Sequence, residues 1–181
     1  MAKYKACICE GGAERAILEL LLEQDKLIFS KEELLEEEII NSRRGKDFEE
    51  RYLRKEFSGK ITVYRVLDSR RENFKISKAY QHKVEVVNVI TAPEIEMLII
   101  CNEGKYQDFE KKKGMSPSEY CKSILKMKNV KSVSFVKAYF SDISVLEKSL
   151  HEYKRLSKVR KSEKTIYDLL RSEDNKKKME G

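Results

Sequence analysis

The sequence predicts an α/β protein: a small, mostly parallel sheet flanked by helices, with a helical C-terminal extension. Three observations predict it. Apolar, β-branched runs at residues 4–9, 60–67 and 84–90 alternate with stretches of helical spacing. The first run passes through Glu10-Gly11-Gly12 directly into an amphipathic stretch, a strand, glycine turn and helix. Beyond residue 105 the spacing is mostly helical.

Each element has its own signal. Tyr4 to Cys9 reads as a short strand, and Ala16, Ile17, Leu20 and Leu21 mark one face of a helix over 13–22. Leu27-Ile28-Phe29 is a short apolar patch compatible with a strand. Ser30 and Glu33 have the spacing of a capping box, which predicts an acidic helix reaching Ile40. A further helix is expected over 46–57, with Phe48, Tyr52 and Leu53 inward and Gly59 as its stop. Lys60 to Leu67 is the clearest strand. A short helix is expected over 74–80. Val84 to Ile90, apolar except for Glu85 and Asn88, reads as a central strand. Pro93 suits the first turn of a helix over 94–101.

Four more helices are expected over 106–113, 117–126, 133–140 and 144–156, with Ser116-Pro117 as a cap and first-turn pair. Ile166, Tyr167, Leu169 and Leu170 form a last apolar cluster before a polar tail. The organisation expected is an α/β core over 1–110, a helical extension over 111–172 packed on it, and a tail over 173–181. No internal repeat and no low-complexity linker interrupts it.

Composition narrows the function classes. Of 181 residues, 40% are hydrophobic and 38% charged, so the apolar content suffices for a core beneath a charge-dense surface. The net charge of +7 and a pI near 9.1 favour a polyanionic partner such as nucleic acid. The first residues lack the apolar segment of a signal peptide, and no run approaches the ~20 apolar residues of a membrane span. A cytoplasmic protein with no membrane partner is therefore expected. The cysteines Cys7, Cys9, Cys101 and Cys121 match no zinc spacing and read as small buried hydrophobes. His82 and His151 stand in separate contexts, and no Ser-His-Asp arrangement is visible. Neither a P-loop, a dinucleotide fingerprint nor an Asn/Asp-Pro-Pro-aromatic motif is present.

In parallel sheets, ligands bind beyond the carboxyl ends of the strands. The sequence puts carboxylates at all three such ends: Glu10 and Glu14, then Asp68 and Glu72, then Glu94 and Glu96. Acidic residues there suit a hard cation, which takes oxygen ligands. They also suit helix N-termini through the macrodipole, which by itself accounts for Glu14, Glu72 and Glu94. Glu10 and Asp68 stand at the strand ends themselves. Arg65, Arg70, Arg71 and Lys75 surround Asp68, and Arg43, Arg44 and Lys46 lie upstream. Arginine suits phosphate oxygens, and equally suits pairing with the many glutamates.

Cys-Ile-Cys-Glu-Gly-Gly-Ala-Glu at 7–14 resembles the opening of the Toprim fold: an apolar strand, Glu-Gly, then a further acidic residue. Asp68 matches the first aspartate of that family's Asp-x-Asp motif, whereas Arg70 stands at the second. Thr-Ala-Pro-Glu-Ile-Glu at 91–96 is similar to the Pro-Glu helix opening of RloB and OLD-nuclease-type Toprim proteins from bacterial phage-defence loci. The resemblance covers residues 1 to about 110. It implies a metal-dependent nucleic-acid phosphodiesterase using Mg²⁺ or Mn²⁺. Glu10, Asp68 and Glu96 would be its catalytic residues, and Glu10, Asp68 and Glu94 its metal ligands. Arg70, Arg71 and Lys75 would bind phosphate. DNA and RNA are both open as substrates, and a second copy or a defence-system protein as partners. Arg70 keeps a second expectation open: a catalytically degenerate module that binds nucleic acid or protein.

Overall fold

Three parallel strands, β1 (Lys5–Cys9), β2 (Ile61–Leu67) and β3 (Val84–Ile90), form one sheet in the order β1-β2-β3. The register aligns Cys9 with Val66 and Leu67 with Ile90, so all strands end at one edge. The computed structural model describes residues 4–42, 44–68, 74–91, 94–157, 160 and 163–172. The molecule is mixed α/β with a small parallel sheet, as the alternating pattern predicts.

Alternation along the strands sends side chains to two apolar cores. Cys7, Cys9, Tyr64, Val66 and Val89 face the larger one. There they meet Ile17, Leu18 and Leu21 of α1 (Gly12–Glu23) and Ile95, Leu98 and Ile99 of α3 (Glu94–Asn102). Ala6, Ile8, Ile61, Val63 and Val84 face the smaller core, with Phe48, Tyr52 and Leu53. β1 and β2 are therefore covered on both sides.

The helices beyond α3 are α4 (Tyr106–Lys111), α5 (Pro117–Ser123), α6 (Val133–Tyr139) and α7 (Ile143–Leu156). Ser116 caps α5 in a full capping box with Glu119. Tyr120, Val136, Phe140, Leu146 and Leu150 of this half join the larger core rather than forming one of their own. The last apolar cluster makes a 3₁₀ turn, Ile166–Leu169, whose Ile166 and Leu169 are fully buried. Just before it, the Ile90 amide donates to the Lys164 carbonyl, tying the C-terminal segment to the end of β3.

Five local expectations are overturned or cut back. β2, not β3, is central, because β3 carries the exposed Glu85, Val86 and Asn88. The acidic helix toward Ile40 does not form. Glu33 accepts from the Ser30 amide, but its other oxygen takes the Lys5 ammonium at 2.8 Å. The chain then runs irregularly beside β1, bridging Leu34 to Lys5 and Ile40 to Ile8, with Glu36 and Glu37 at positive φ between. Burying Ile39 and Ile40 beside β1 outweighs helix propensity there.

The helix predicted over 46–57 is α2 (Gly45–Phe48) continued by one wide π turn, Glu49–Leu53, and it stops well before Gly59. Residues 74–77 form no helix. The buried Glu49 carboxylate instead accepts from the backbone N–H and the hydroxyl of Ser77. Gly45 lies so close to this segment that a Cβ there would stand 2.1 Å from the Lys75 carbonyl oxygen. The Leu27–Phe29 patch makes one antiparallel bridge, Leu27 to Leu170, rather than a strand.

Candidate functional site at the carboxyl edge of the sheet

The shared strand edge carries Glu10 after β1, Asp68 after β2, and the first turns of α1 and α3 behind them. Thr91 sets the spacing between the last two strand ends. Its amide and hydroxyl both donate to the Leu67 carbonyl, at 2.7 and 2.9 Å, and the residue is buried. Thr91 is thereby fixed beside the end of β2.

Glu96 is the most unusual group at this edge. It is 3% exposed, between Ile95 and Met97 on a helix whose apolar residues are almost wholly buried. One carboxylate oxygen lies 3.3 Å from the Lys131 ammonium. The other, Oε2, is buried with no hydrogen-bond partner. Leaving a charged oxygen so placed costs more than any ordinary helix position would warrant.

Glu14 is the second buried carboxylate, 7% exposed in the first turn of α1. Its side chain folds back over Gly11, where a Cβ would stand 2.0 Å from its Oε2, and it accepts from its own backbone N–H. Burial pushes its pKa above the ordinary 4.5; that amide and Lys131 pull it down, while Asp68 and Glu96 push it further up. Glu14 thus feels Lys131, Asp68 and Glu96 across the strand ends.

Lys131 is held over this edge by α6. Gly12 of α1 sits against Val133, with room for a Cβ only at 3.2 Å from its Cγ2. Lys137 of α6 pairs with Glu19 of α1 at 3.1 Å. Val130 is buried just before Lys131, and Ser132 just after it caps α6. The first turn of α1, the loop before α6 and the first turn of α3 therefore converge.

The sequence-predicted residues divide among several environments. Glu10 is half-buried at the end of β1, and Asp68 is exposed at the end of β2. Glu96 is buried as described. Arg70, Arg71 and Glu72 lie outside the described residues, as does the side chain of Glu94. Lys75 is exposed. Arg65 is not placed for phosphate: it is buried at 2%, with its guanidinium 4.6 Å from the centre of the Phe74 ring. Sequence reasoning leaves Glu14 open between a cation site and the helix dipole, and misses Lys131. The lysine has no local signature, since it reaches the strand edge from a segment beyond the three strands.

The donor set is oxygen-rich and fits a hard cation. Mg²⁺ needs only one or two protein carboxylates because it keeps several waters. Glu96 Oε2, an anionic oxygen without a partner, is what such an ion would satisfy. As the side chains stand, no three His, Cys, Asp or Glu among the described residues are gathered closely enough to hold a metal. An ion would be held by Glu96 with Glu14 or Asp68, and by water. All four cysteines are buried, and burial pushes Cys9 up to about 12 and Cys121 up to about 11.

No protein-family model, curated protein or solved structure matches the chain. No helix among the described residues is long and apolar enough to cross a membrane.

Proposed function

We propose that this chain is a Toprim-like phosphodiesterase that cleaves nucleic acid with Mg²⁺ or Mn²⁺ at the carboxyl edge of its sheet. The observation that carries the proposal is Glu96: a buried carboxylate with one unpartnered oxygen, beside Glu14 and Asp68, where parallel sheets bind ligands. A bound ion would polarise the scissile phosphate and activate water. Glu96 and Asp68 would hold it. Glu10, at the end of β1 in the position matching the family's catalytic glutamate, would take the proton from the attacking water. Lys75 and the arginines at 70 and 71 would meet the phosphate backbone, consistent with the net charge of +7.

The test is a titration of Mg²⁺ and Mn²⁺ against labelled single-stranded DNA, duplex DNA and transfer RNA. Glu10→Gln and Glu96→Gln serve as controls. Ion-dependent cleavage that falls by about 100-fold or more in both variants is expected, the loss typical of a missing acid–base or metal-binding group. Full activity in either variant removes that residue from the site.

A second reading has its own observations. Arg70 stands where the Asp-x-Asp motif has its second aspartate, and Lys131 already neutralises part of Glu96. Both favour a module that binds nucleic acid or a partner protein without cutting. Binding retained in chelator, with no cleavage in either metal, would select it. A role in phage defence follows the same resemblance, and is tested by phage plating on cells expressing the protein or its Glu96→Gln variant.

A further inference from the structure

The Lys131–Glu96 pair is odd in a way the proposed reaction does not require. The ammonium meets only one of the two carboxylate oxygens, at 3.3 Å, and the lysine side chain is itself 56% exposed while the Glu96 side chain is 4% exposed. A stabilising buried pair is expected to engage both partners fully, with the remaining lone pairs satisfied. Here the acid is fully withdrawn from water and its cation is not. The backbone on either side of Lys131 is nonetheless fixed: Val130 is buried, the Ser132 amide donates to the Asn129 carbonyl at 2.8 Å, and the Ser132 hydroxyl accepts from the Phe135 amide at 3.2 Å. Only the long side chain is free to leave, and it can swing into solvent without any change in the fold.

We propose that Lys131 is an exchangeable counter-ion: its ammonium neutralises the carboxylates of Glu96 and Glu14 when no divalent cation is bound, and is displaced when one binds. This rests on the cation site proposed above. An ammonium and a divalent ion repel each other and compete for the same carboxylate oxygens, so the lysine sets the affinity of the site. It keeps the buried acids tolerable in the empty protein and makes ion binding weaker than the carboxylates alone would allow.

The experiment is Mn²⁺ binding by electron paramagnetic resonance, with no nucleic acid present. Wild type is compared with Lys131→Gln, Lys131→Arg and Glu96→Gln. Lys131→Gln should bind Mn²⁺ about tenfold more tightly, the effect of removing one partly exposed competing charge. Lys131→Arg should stay near wild type, and Glu96→Gln should lose binding. Thermal melting in chelator should show Lys131→Gln less stable than wild type, with a larger rise on adding Mn²⁺. If wild type binds Mn²⁺ but Lys131→Gln binds equally or more weakly, the counter-ion proposal is overturned and the cation site stands. If neither binds, the cation site and the proposal fail together.

Discussion

Glu96 and Asp168 make an instructive pair. Both are acids in the first turn of a helical segment, both are nearly inaccessible at 3% and 5%, and both meet a lysine. Asp168 leaves no buried oxygen without a partner. One of its oxygens accepts from the Thr165 amide at 2.7 Å, the Thr165 hydroxyl at 3.1 Å and the Lys154 ammonium at 2.7 Å. Glu96 has a single, longer contact to Lys131 and a second oxygen with nothing. The first arrangement closes the C-terminal turn onto α7. The second leaves an anionic oxygen in want of a cation at the edge where ligands bind. Both acids bury a charge; what sets Glu96 apart from Asp168 is a buried oxygen with an unmet bonding requirement.

The largest expected effect tests that contrast directly. Asp168→Ala should cost roughly 3 kcal/mol, because it strips three donors at once and leaves the Thr165 amide buried without an acceptor. Glu96→Gln should cost less than about 1 kcal/mol in chelator, since it removes one contact to a half-exposed lysine and also removes a poorly solvated charge. Urea unfolding of the two variants measures both. Equal costs would make Glu96 an ordinary structural acid and end the contrast.

A smaller effect, of order a few degrees in Tm, is expected from Glu14. Its folded-state pKa is raised above 4.5, chiefly by burial. Above pH 4.5, and up to that higher value, the folded protein holds a proton that the unfolded chain has released, so stability falls as pH rises through that window. Glu119, whose pKa is lowered by the Ser116 amide, acts oppositely: its contribution is lost as pH falls. Ion-free Glu14→Gln should therefore melt higher than wild type near neutrality and lose part of the advantage on acidification. A divalent ion should raise the melting temperature of wild type more than that of the variant. Melting curves across pH in chelator and in Mg²⁺ decide it; a variant that melts lower at neutral pH would mean that the bond Glu14 accepts from its own amide matters more than its burial.

Legibility follows the range of the forces involved. β1, β2, β3, α1 and the Ser116-capped α5 were legible because alternation, glycine breaks and a capping box act within a few residues. The acidic segment after Ser30 was not, because its half-formed cap lost to long-range burial of Ile39 and Ile40 beside β1. The position of β3 was half-legible: Glu85 and Asn88 were the signals of its exposure, set aside in favour of its valines. At the candidate site, the strand-end rule points to the edge where Glu96 lies buried. It undervalued Glu14, whose burial depends on the packing of α6, and had no means of finding Lys131, which arrives from a distant segment.

The smallest effect sharpens the contrast between fold and site most. Gly11 has φ −73 and ψ 134, which any residue adopts, so Gly11→Ala carries no backbone strain. The new Cβ would stand 2.0 Å from Glu14 Oε2, the end of a flexible side chain, which must move aside. The stability change should therefore stay within about 1 kcal/mol. Mn²⁺ affinity should nonetheless shift measurably, because the displaced carboxylate is one of the two buried acids at the strand edge. Gly45→Ala is the opposite case: there the obstacle is the Lys75 carbonyl, backbone that cannot step aside, and a loss of about 1–3 kcal/mol with no effect on ion binding is expected. Calorimetric melting and Mn²⁺ titration of the two alanine variants separate a position that shapes the site from one that holds the fold. Identical behaviour in both assays would remove Glu14 from the site.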